Sequence, residues 1–406
     1  MIWTTEKTHT WEGTVKPTKQ LRLIAALIAL ALVAAACGGG DSDVASNAGA
    51  DGDSADSGDA VESTETSAAS ACTAGQTDGD LAIFNWTEYM DPELIVAFEE
   101  EFGVSVTEDN YDSNEAMQPI INAGGSGFDF IVPSDYMVGI MIDAGNLQPL
   151  NRDAIPNLAN LSPEFASGLP YDPDAAFSAP YQWGTTGLGV DLSVTGPDVP
   201  QTWGLIFDPD LAAEYNLEGQ FSTLLNDPRE TMGAALKFLG YSLNTTNPDE
   251  LQEAEDLVAA TLDRVAAFES DQYDELLVQG EAAVTHGYSG NFLFQFLDAE
   301  NPDQFTYFVP EEGGTRWIDN MAIPFDAPNP CTAHTFINFL LDAERGAQLT
   351  NWNLYASPNE ASTPFIDQEV LDDPIVYPVD TSLLEEIEDT GDFEIEFSDA
   401  FTAARG

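Results

Sequence analysis

Three short stretches set aromatic rings beside carboxylates: Trp86-Thr87-Glu88-Tyr89, Asp135-Tyr136 and Trp317-Ile318-Asp319. A fourth, Asp227-Pro228-Arg229-Glu230, carries two acids three residues apart. This pairing suits an organic cation. An ammonium is drawn to an aromatic face by up to ~2 kcal/mol when desolvated, and to carboxylates through charge-assisted hydrogen bonds of ~1.5–3 kcal/mol. Several carboxylates along an aromatic-walled slot match a flexible chain with two or three ammonium groups, whereas a single quaternary amine needs one cage and fewer acids. Each stretch also has a plain structural reading. Asp227, Pro228 and Glu230 fit the N-cap, N1 and N3 positions of a helix start, and Trp86 and Trp317 taken singly fit a core.

Signatures of other chemistry are missing. The chain has no H-E-x-x-H, G-x-S-x-G, Walker or G-x-G-x-x-G pattern. Gly124-Gly125-Ser126-Gly127 precedes a strand instead of opening a helix, so it reads as a turn. His286 and His334 lack ligand-like spacing, so no metal or other cofactor is expected. A glycosidase-type carboxylate pair carries no weight in a chain with 71 acids, because some pair can always be found. Against those acids stand 11 Lys plus Arg, a formal charge of −60. Nucleic acid and anionic membrane surfaces are therefore poor partners. Most of the acids read as a solvated surface suited to salty surroundings.

The elements that must position the four stretches alternate. Leu81-Ala82-Ile83-Phe84 predicts a strand, Asp91 caps a helix to about Phe102, and a strand is expected over 104–106. A helix over 114–123 and a strand over 128–132 follow. This βαβα pattern implies an α/β fold with a mainly parallel sheet whose ligand sites lie at the carboxyl ends of strands. Asn85-Trp86-Thr87 and Pro133-Ser134-Asp135-Tyr136 fall at such ends. Residues 177–192 read as an extended crossing toward a second region, which holds helices at 228–239 and 248–268. The roughly 325 residues from about Asp80 onward exceed what one core serves, so two domains are expected.

Before them, the apolar run 23–36, flanked by Lys16, Lys19 and Arg22, ends at Cys37. That layout predicts a lipoprotein signal over 1–36, with Cys37 lipidated and the protein held outside the cytoplasmic membrane by the lipid alone. An ordinary signal or short anchor helix is the alternative. Residues 37–79 follow as the lipidated Cys37 and an acidic linker that cannot bury enough apolar surface to order. Cys72 and Cys331 then remain as an even pair in an oxidising compartment and are expected to form a disulfide, the alternative being two separate buried thiols.

From about 80 to 402 the chain resembles the spermidine/putrescine-binding proteins of ABC importers. The matching stretches are Phe84-Asn85-Trp86-Thr87-Glu88-Tyr89, Phe128-Asp129-Phe130-Ile131-Val132-Pro133-Ser134-Asp135-Tyr136, Pro180-Tyr181-Gln182-Trp183-Gly184-Thr185-Thr186, Leu239-Gly240-Tyr241-Ser242-Leu243-Asn244-Thr245-Thr246 and Gly313-Gly314-Thr315-Arg316-Trp317-Ile318-Asp319-Asn320-Met321-Ala322-Ile323-Pro324. The resemblance implies a two-lobe periplasmic-binding-protein fold of type II character. Lobe 1 spans 80–183 plus 320–365, lobe 2 spans 184–319 plus 366–406, and a hinge crossed more than once closes them on ligand. It implies a monomer that captures a polyamine, without catalysis, and passes it to an ABC permease. Trp86, Tyr89, Tyr136, Tyr288, Trp317 and Tyr355 become cleft aromatics, Thr87 and Ser134 polar neighbours, and Asp227, Glu230 and Asp319 the amine-binding acids. Glu394 is aligned where a relative has Gln, and Tyr288 stands where relatives carry Trp. Other rivals are a lipoprotein that binds a sugar or another organic cation, and an extracytoplasmic acidic hydrolase.

Overall fold

Leu81, Ile83 and Phe84 are buried in a short strand flanked by turns, and Leu94 and Phe98, one helical turn apart, are fully buried in the helix that follows. These are the first pieces of the computed structural model, which describes residues 72–219 and 221–406. The expected signal, the Cys37 anchor and the linker up to residue 71 lie outside the described residues. The described residues belong to one unit, Thr64–Gly406.

The strands are β1 Leu81–Trp86, β2 Val106–Tyr111, β3 Phe130–Ile131, β4 Ser178–Asp191, β5 Ser222–Leu224, β6 Val265–Phe268, β7 Val284–Tyr288, β8 Phe305–Phe308, β9 Gly314–Ala322 and β10 Leu384–Glu386. They form one mixed sheet in the order β2-β1-β3-β9-β4-β7-β5-β6, with β8 paired to β4 and β10 to β9. Two parallel groups, β2-β1-β3 and β7-β5-β6, flank the long antiparallel pair β4 and β9. The parallel expectation holds for each group and fails at the junction. There β4 pairs with β9 through residues 178–185 and with β7 from Thr186 onward, so one strand belongs to both halves.

Each half has its own core. One gathers Leu81, Ile83, Phe98, Phe130 and Phe336, and the other Trp203, Met232, Leu236, Val284 and Phe397. Full burial of such side chains contributes about 1.5–3 kcal/mol each. The helix expected over 248–268 is shorter. It spans Pro248–Ala259, the Thr261 hydroxyl donates to the Val258 carbonyl at 2.6 Å, and residues 265–268 pair with β5 as β6. Val265 and Phe268 suit a strand beside β5 better than a solvated helix end. Cys72 and Cys331, the latter on the helix Pro330–Leu340, are bonded with their Cα atoms 5.2 Å apart. His286 is fully buried, edge-on to Trp203, and burial lowers its pKa to about 3, a neutral core residue. Among the described residues no cluster suited to a metal ion occurs, and no helix is long and apolar enough to cross a membrane.

Candidate functional site

Strand ends from both halves meet across β4 and β9. Trp86 closes β1 and donates its indole N–H to the Val132 carbonyl at 2.8 Å. Ser134 sits at the N-cap of the helix Asp135–Asp143, yet its hydroxyl does not cap. It donates to Asp319 Oδ1 at 2.7 Å, tying the end of β3 to β9. Opposite, Asp227 caps the helix Pro228–Leu239 by accepting the Glu230 N–H at 3.0 Å. The helix-start reading is therefore right for Asp227, but it does not exhaust the pair. Glu230 points away from the cap and accepts hydroxyl hydrogens from Thr186 of β4 (2.9 Å) and Thr315 of β9 (2.8 Å). Tyr288 ends β7.

Tyr355 is placed differently. The helix Ala343–Asn353 stops at Leu354, whose φ of 61° turns the chain sharply. Asn353 and Gln182 exchange amide hydrogen bonds of 2.5 and 3.0 Å beneath it. The Tyr355 hydroxyl then donates to Asn291 Oδ1 at 2.5 Å. Gly184 and Gly290 permit this packing. A Cβ on Gly184 would stand 2.6 Å from the Trp317 ring, and one on Gly290 would stand 2.7 Å from both Tyr355 and the Asn353 carbonyl.

The result is a cleft, partly open to solvent, that encompasses about 670 Å³. Its wall includes Trp86, Thr87, Tyr89, Ser134, Tyr136, Asp227, Glu230, Tyr288, Trp317, Asp319 and Tyr355, all expected from the sequence. Trp317 stands edge-on to Tyr355 at 5.2 Å and to Tyr288 at 6.0 Å between ring centres, while Trp86 leans on Tyr111 at 4.7 Å. These rings are core and wall at once: Trp317, Tyr89 and Tyr355 also belong to the first hydrophobic core. The Trp317 indole N–H is buried without a partner.

Glu394 is the exception. It begins the last helix, Glu394–Arg405, where its carboxylate faces Arg229 at 2.5 Å and accepts from the Thr390 N–H and hydroxyl at 2.8 Å, outside the cavity wall. The wall also contains Asp135 of the Asp135-Tyr136 stretch, together with Tyr111, Asp112, Asn114, Ser270, Asp271, Asn291 and Ile387, and the sequence reading assigned none of these last seven to ligand binding. The rule of strand carboxyl ends would have reached Tyr111 to Asn114 after β2, and Ser270 and Asp271 after β6, had β6 been read as a strand.

Electrostatics set these acids apart from the surface ones. Burial pushes Asp319 up to about 7, although the Ser134 hydrogen bond holds it down. Burial and the charge of Glu230 push Asp227 up to about 7. Burial also pushes Glu230 up to about 7, against the two threonine hydroxyls and Arg229. Withdrawn from solvent by burial, each carboxylate holds its proton to unusually high pH. An ammonium between them would reverse that. The arrangement can bind a multivalent organic cation, and its hydroxyls and rings are disposed for contact, not for bond breaking.

Residues 93–378 match the model of the family described as bacterial extracellular solute-binding protein. The chain belongs to that family. Its members are binding proteins of transport systems and not enzymes, and this solute-binding protein has their α/β fold. It is 35% identical over 308 residues to the putrescine-binding periplasmic protein SpuD of Pseudomonas aeruginosa, covering 73% of this chain and 83% of the relative. It is 34% identical over 311 residues to the putrescine-binding periplasmic protein PotF of Escherichia coli, with the same coverage. Among solved structures, it is similar to the spermidine/putrescine ABC transporter substrate-binding protein PotD of Streptococcus pneumoniae, with a TM-score of 0.64, 31% identity, and 81% of this chain and 100% of the other covered. The TpPotD lipoprotein of Treponema pallidum superposes with a TM-score of 0.68 at 28% identity, covering 80% of this chain and 99% of the other.

Proposed function

We propose that this solute-binding protein captures a polyamine, putrescine or spermidine, outside the cytoplasm and delivers it to an ABC permease. The observation that carries the reading is one cavity in which Asp227, Glu230 and Asp319 are buried beside Trp86, Tyr288, Trp317 and Tyr355. The names of the relatives at 34–35% identity point to the same ligand class. Trp317 and Tyr288 form the wall along which the methylene chain lies, and the three carboxylates take the ammonium groups. Three or four ionic contacts, less the cost of ordering a flexible ligand, leave roughly −8 to −11 kcal/mol, or about micromolar to about ten nanomolar.

The lobes divide at about 80–183 plus 320–365 and 184–319 plus 366–406, with β4 and β9 as the hinge strands. Hydrogen bonds cross that division, Asn226 Nδ2 to Asp112 Oδ2 at 2.7 Å and Tyr355 to Asn291. The protein acts as a monomer carried on a lipid at Cys37. Isothermal titration of residues 72–406 with putrescine, spermidine, spermine, choline and a neutral sugar tests the function. One-to-one binding of a di- or triamine is expected, with no heat from the sugar. Absence of amine binding by folded protein overturns the ligand. The mass of the mature protein tests the anchor, since an unmodified N-terminal Cys37 would remove it.

A further inference from the structure

Behind the cavity wall lies an acid that the proposed binding set does not use. Glu115, on the helix Asn114–Asn122, accepts the Tyr136 hydroxyl hydrogen on Oε1 at 2.8 Å, while its Oε2 is buried without a partner. Tyr136 lines the cavity and Glu115 does not. Asp227 and Arg229 are the charged groups that face Glu115 from the opposite half, and Arg229 also lies over the Tyr136 ring at 5.4 Å.

We infer that Glu115 is a positioning residue for the cation site, acting through Tyr136. By accepting the phenol hydrogen it turns the Tyr136 oxygen lone pairs toward the cavity and passes on part of its own negative charge. A phenol is both donor and acceptor, and only the acceptor side favours an ammonium. With Glu115 taking the hydrogen, Tyr136 presents an acceptor at the Asp227 end of the slot. In the empty cavity, burial and the charge of Asp227 raise Glu115 to about 8, so it carries a proton there. An arriving ammonium displaces that proton to solvent, and the Tyr136 hydrogen then stays on the carboxylate side. The inference rests on the polyamine reading above.

A double-mutant cycle tests it, using the full chain with putrescine and spermidine as probes. Glu115→Gln is expected to weaken binding about five- to tenfold and to lower the number of protons released on binding. Tyr136→Phe is expected to weaken binding by a similar factor. In the Tyr136→Phe background, adding Glu115→Gln is expected to change affinity less than twofold, because the route to the ligand is already gone. Additive losses would mean that Glu115 acts independently of Tyr136, and would overturn the inference. So would a Glu115→Gln variant with unchanged affinity and proton release. Should the glutamine variant not fold, Glu115→Asp withdraws the carboxylate from Tyr136 and takes its place in the same cycle with the same expected losses. Lack of amine binding by the wild-type chain would instead overturn the ligand class. Wild-type binding with an unresponsive Glu115 overturns the relay alone.

Discussion

Burial keeps the cavity acids partly protonated near neutral pH, so ligand affinity should depend on pH where exposed carboxylates give no dependence. Asp227, Glu230 and Asp319 each lie at about 7 in the empty site. A bound ammonium favours the ionised forms and pulls these values down, so binding releases protons below and around pH 7. For each carboxylate that must ionise, affinity falls about tenfold between pH 8 and pH 6, or about 1.4 kcal/mol. A diamine that needs two of them should bind about a hundredfold more weakly at pH 6. At pH 7, with each acid about half ionised, roughly one proton should leave per ligand bound. The sign for stability is opposite. A carboxylate raised from about 4 in the unfolded chain to about 7 in the folded one stabilises the fold at low pH, and that contribution is lost as pH rises toward 7. The ligand-free protein should therefore lose stability from pH 5 to 7.5, and putrescine should restore it most at the upper end. Titration calorimetry in buffers of different ionisation enthalpy reads the proton number, and thermal melts with and without putrescine read the stability. Affinity that is flat from pH 6 to 8, with no proton exchange, would refute the account of burial as the source of the site's chemistry.

Asp319→Asn keeps an acceptor for Ser134 but removes the central charge. It should weaken amine binding more than tenfold, by ~1.5–3 kcal/mol, in calorimetry, while the melting temperature holds or rises. Gly184→Ala drives a methyl to within 2.6 Å of the Trp317 ring. Affinity should fall several-fold with the far-ultraviolet spectrum unchanged, because the displaced ring no longer walls the slot. Reducing the Cys72–Cys331 bond, which spans 259 residues, should lower stability by up to about 5 kcal/mol in urea melts on the chain-entropy account. Putrescine affinity at temperatures where the reduced protein stays folded should not change, since neither cysteine touches the cavity.

Most of the cavity aromatics and acids were legible because they sit in short local patterns within or just after strands, Tyr355 after a helix being the exception. Trp86 and Tyr136 follow β1 and β3, Trp317 and Asp319 share one face of β9, and Asp227 and Glu230 open a helix. What sequence spacing could not convey was distance in space. Nothing near Asn291 or Asp271 marks a ligand. They reach the wall because β7 and β6 end beside it, and β6 itself reads as the tail of a helix until β5 supplies an edge to pair with. Glu394 failed for a similar reason. Its local context is an acid in the first turn of a helix, and whether that turn faces the slot or Arg229 depends on how the last helix packs on its neighbours. The antiparallel β4–β9 junction was likewise hidden, since a strand shared by two halves looks locally like any extended crossing.

Abundance of negative charge does not make the site; removal of water does. Most of the 71 acids lie outside the cavity wall, and wherever they are solvated in saline surroundings screening confines their fields to several Å. Sodium or potassium can neutralise them without discrimination. Inside the cavity the same side chains are only partly ionised near neutral pH, so the pocket has less charge than an exposed trio with which to hold a small inorganic ion. To displace those protons a ligand must bring cationic groups at the right spacing, and apolar surface that Trp317, Tyr288 and Trp86 can cover in exchange for lost hydration. A flexible diamine or triamine meets both conditions. A hydrated metal ion meets neither, because it surrenders water reluctantly and offers the rings nothing. On the proposed reading, selectivity follows from burying three carboxylates among aromatics. An exposed trio with the same charges would bind the same amine weakly, and would lose it as salt rose.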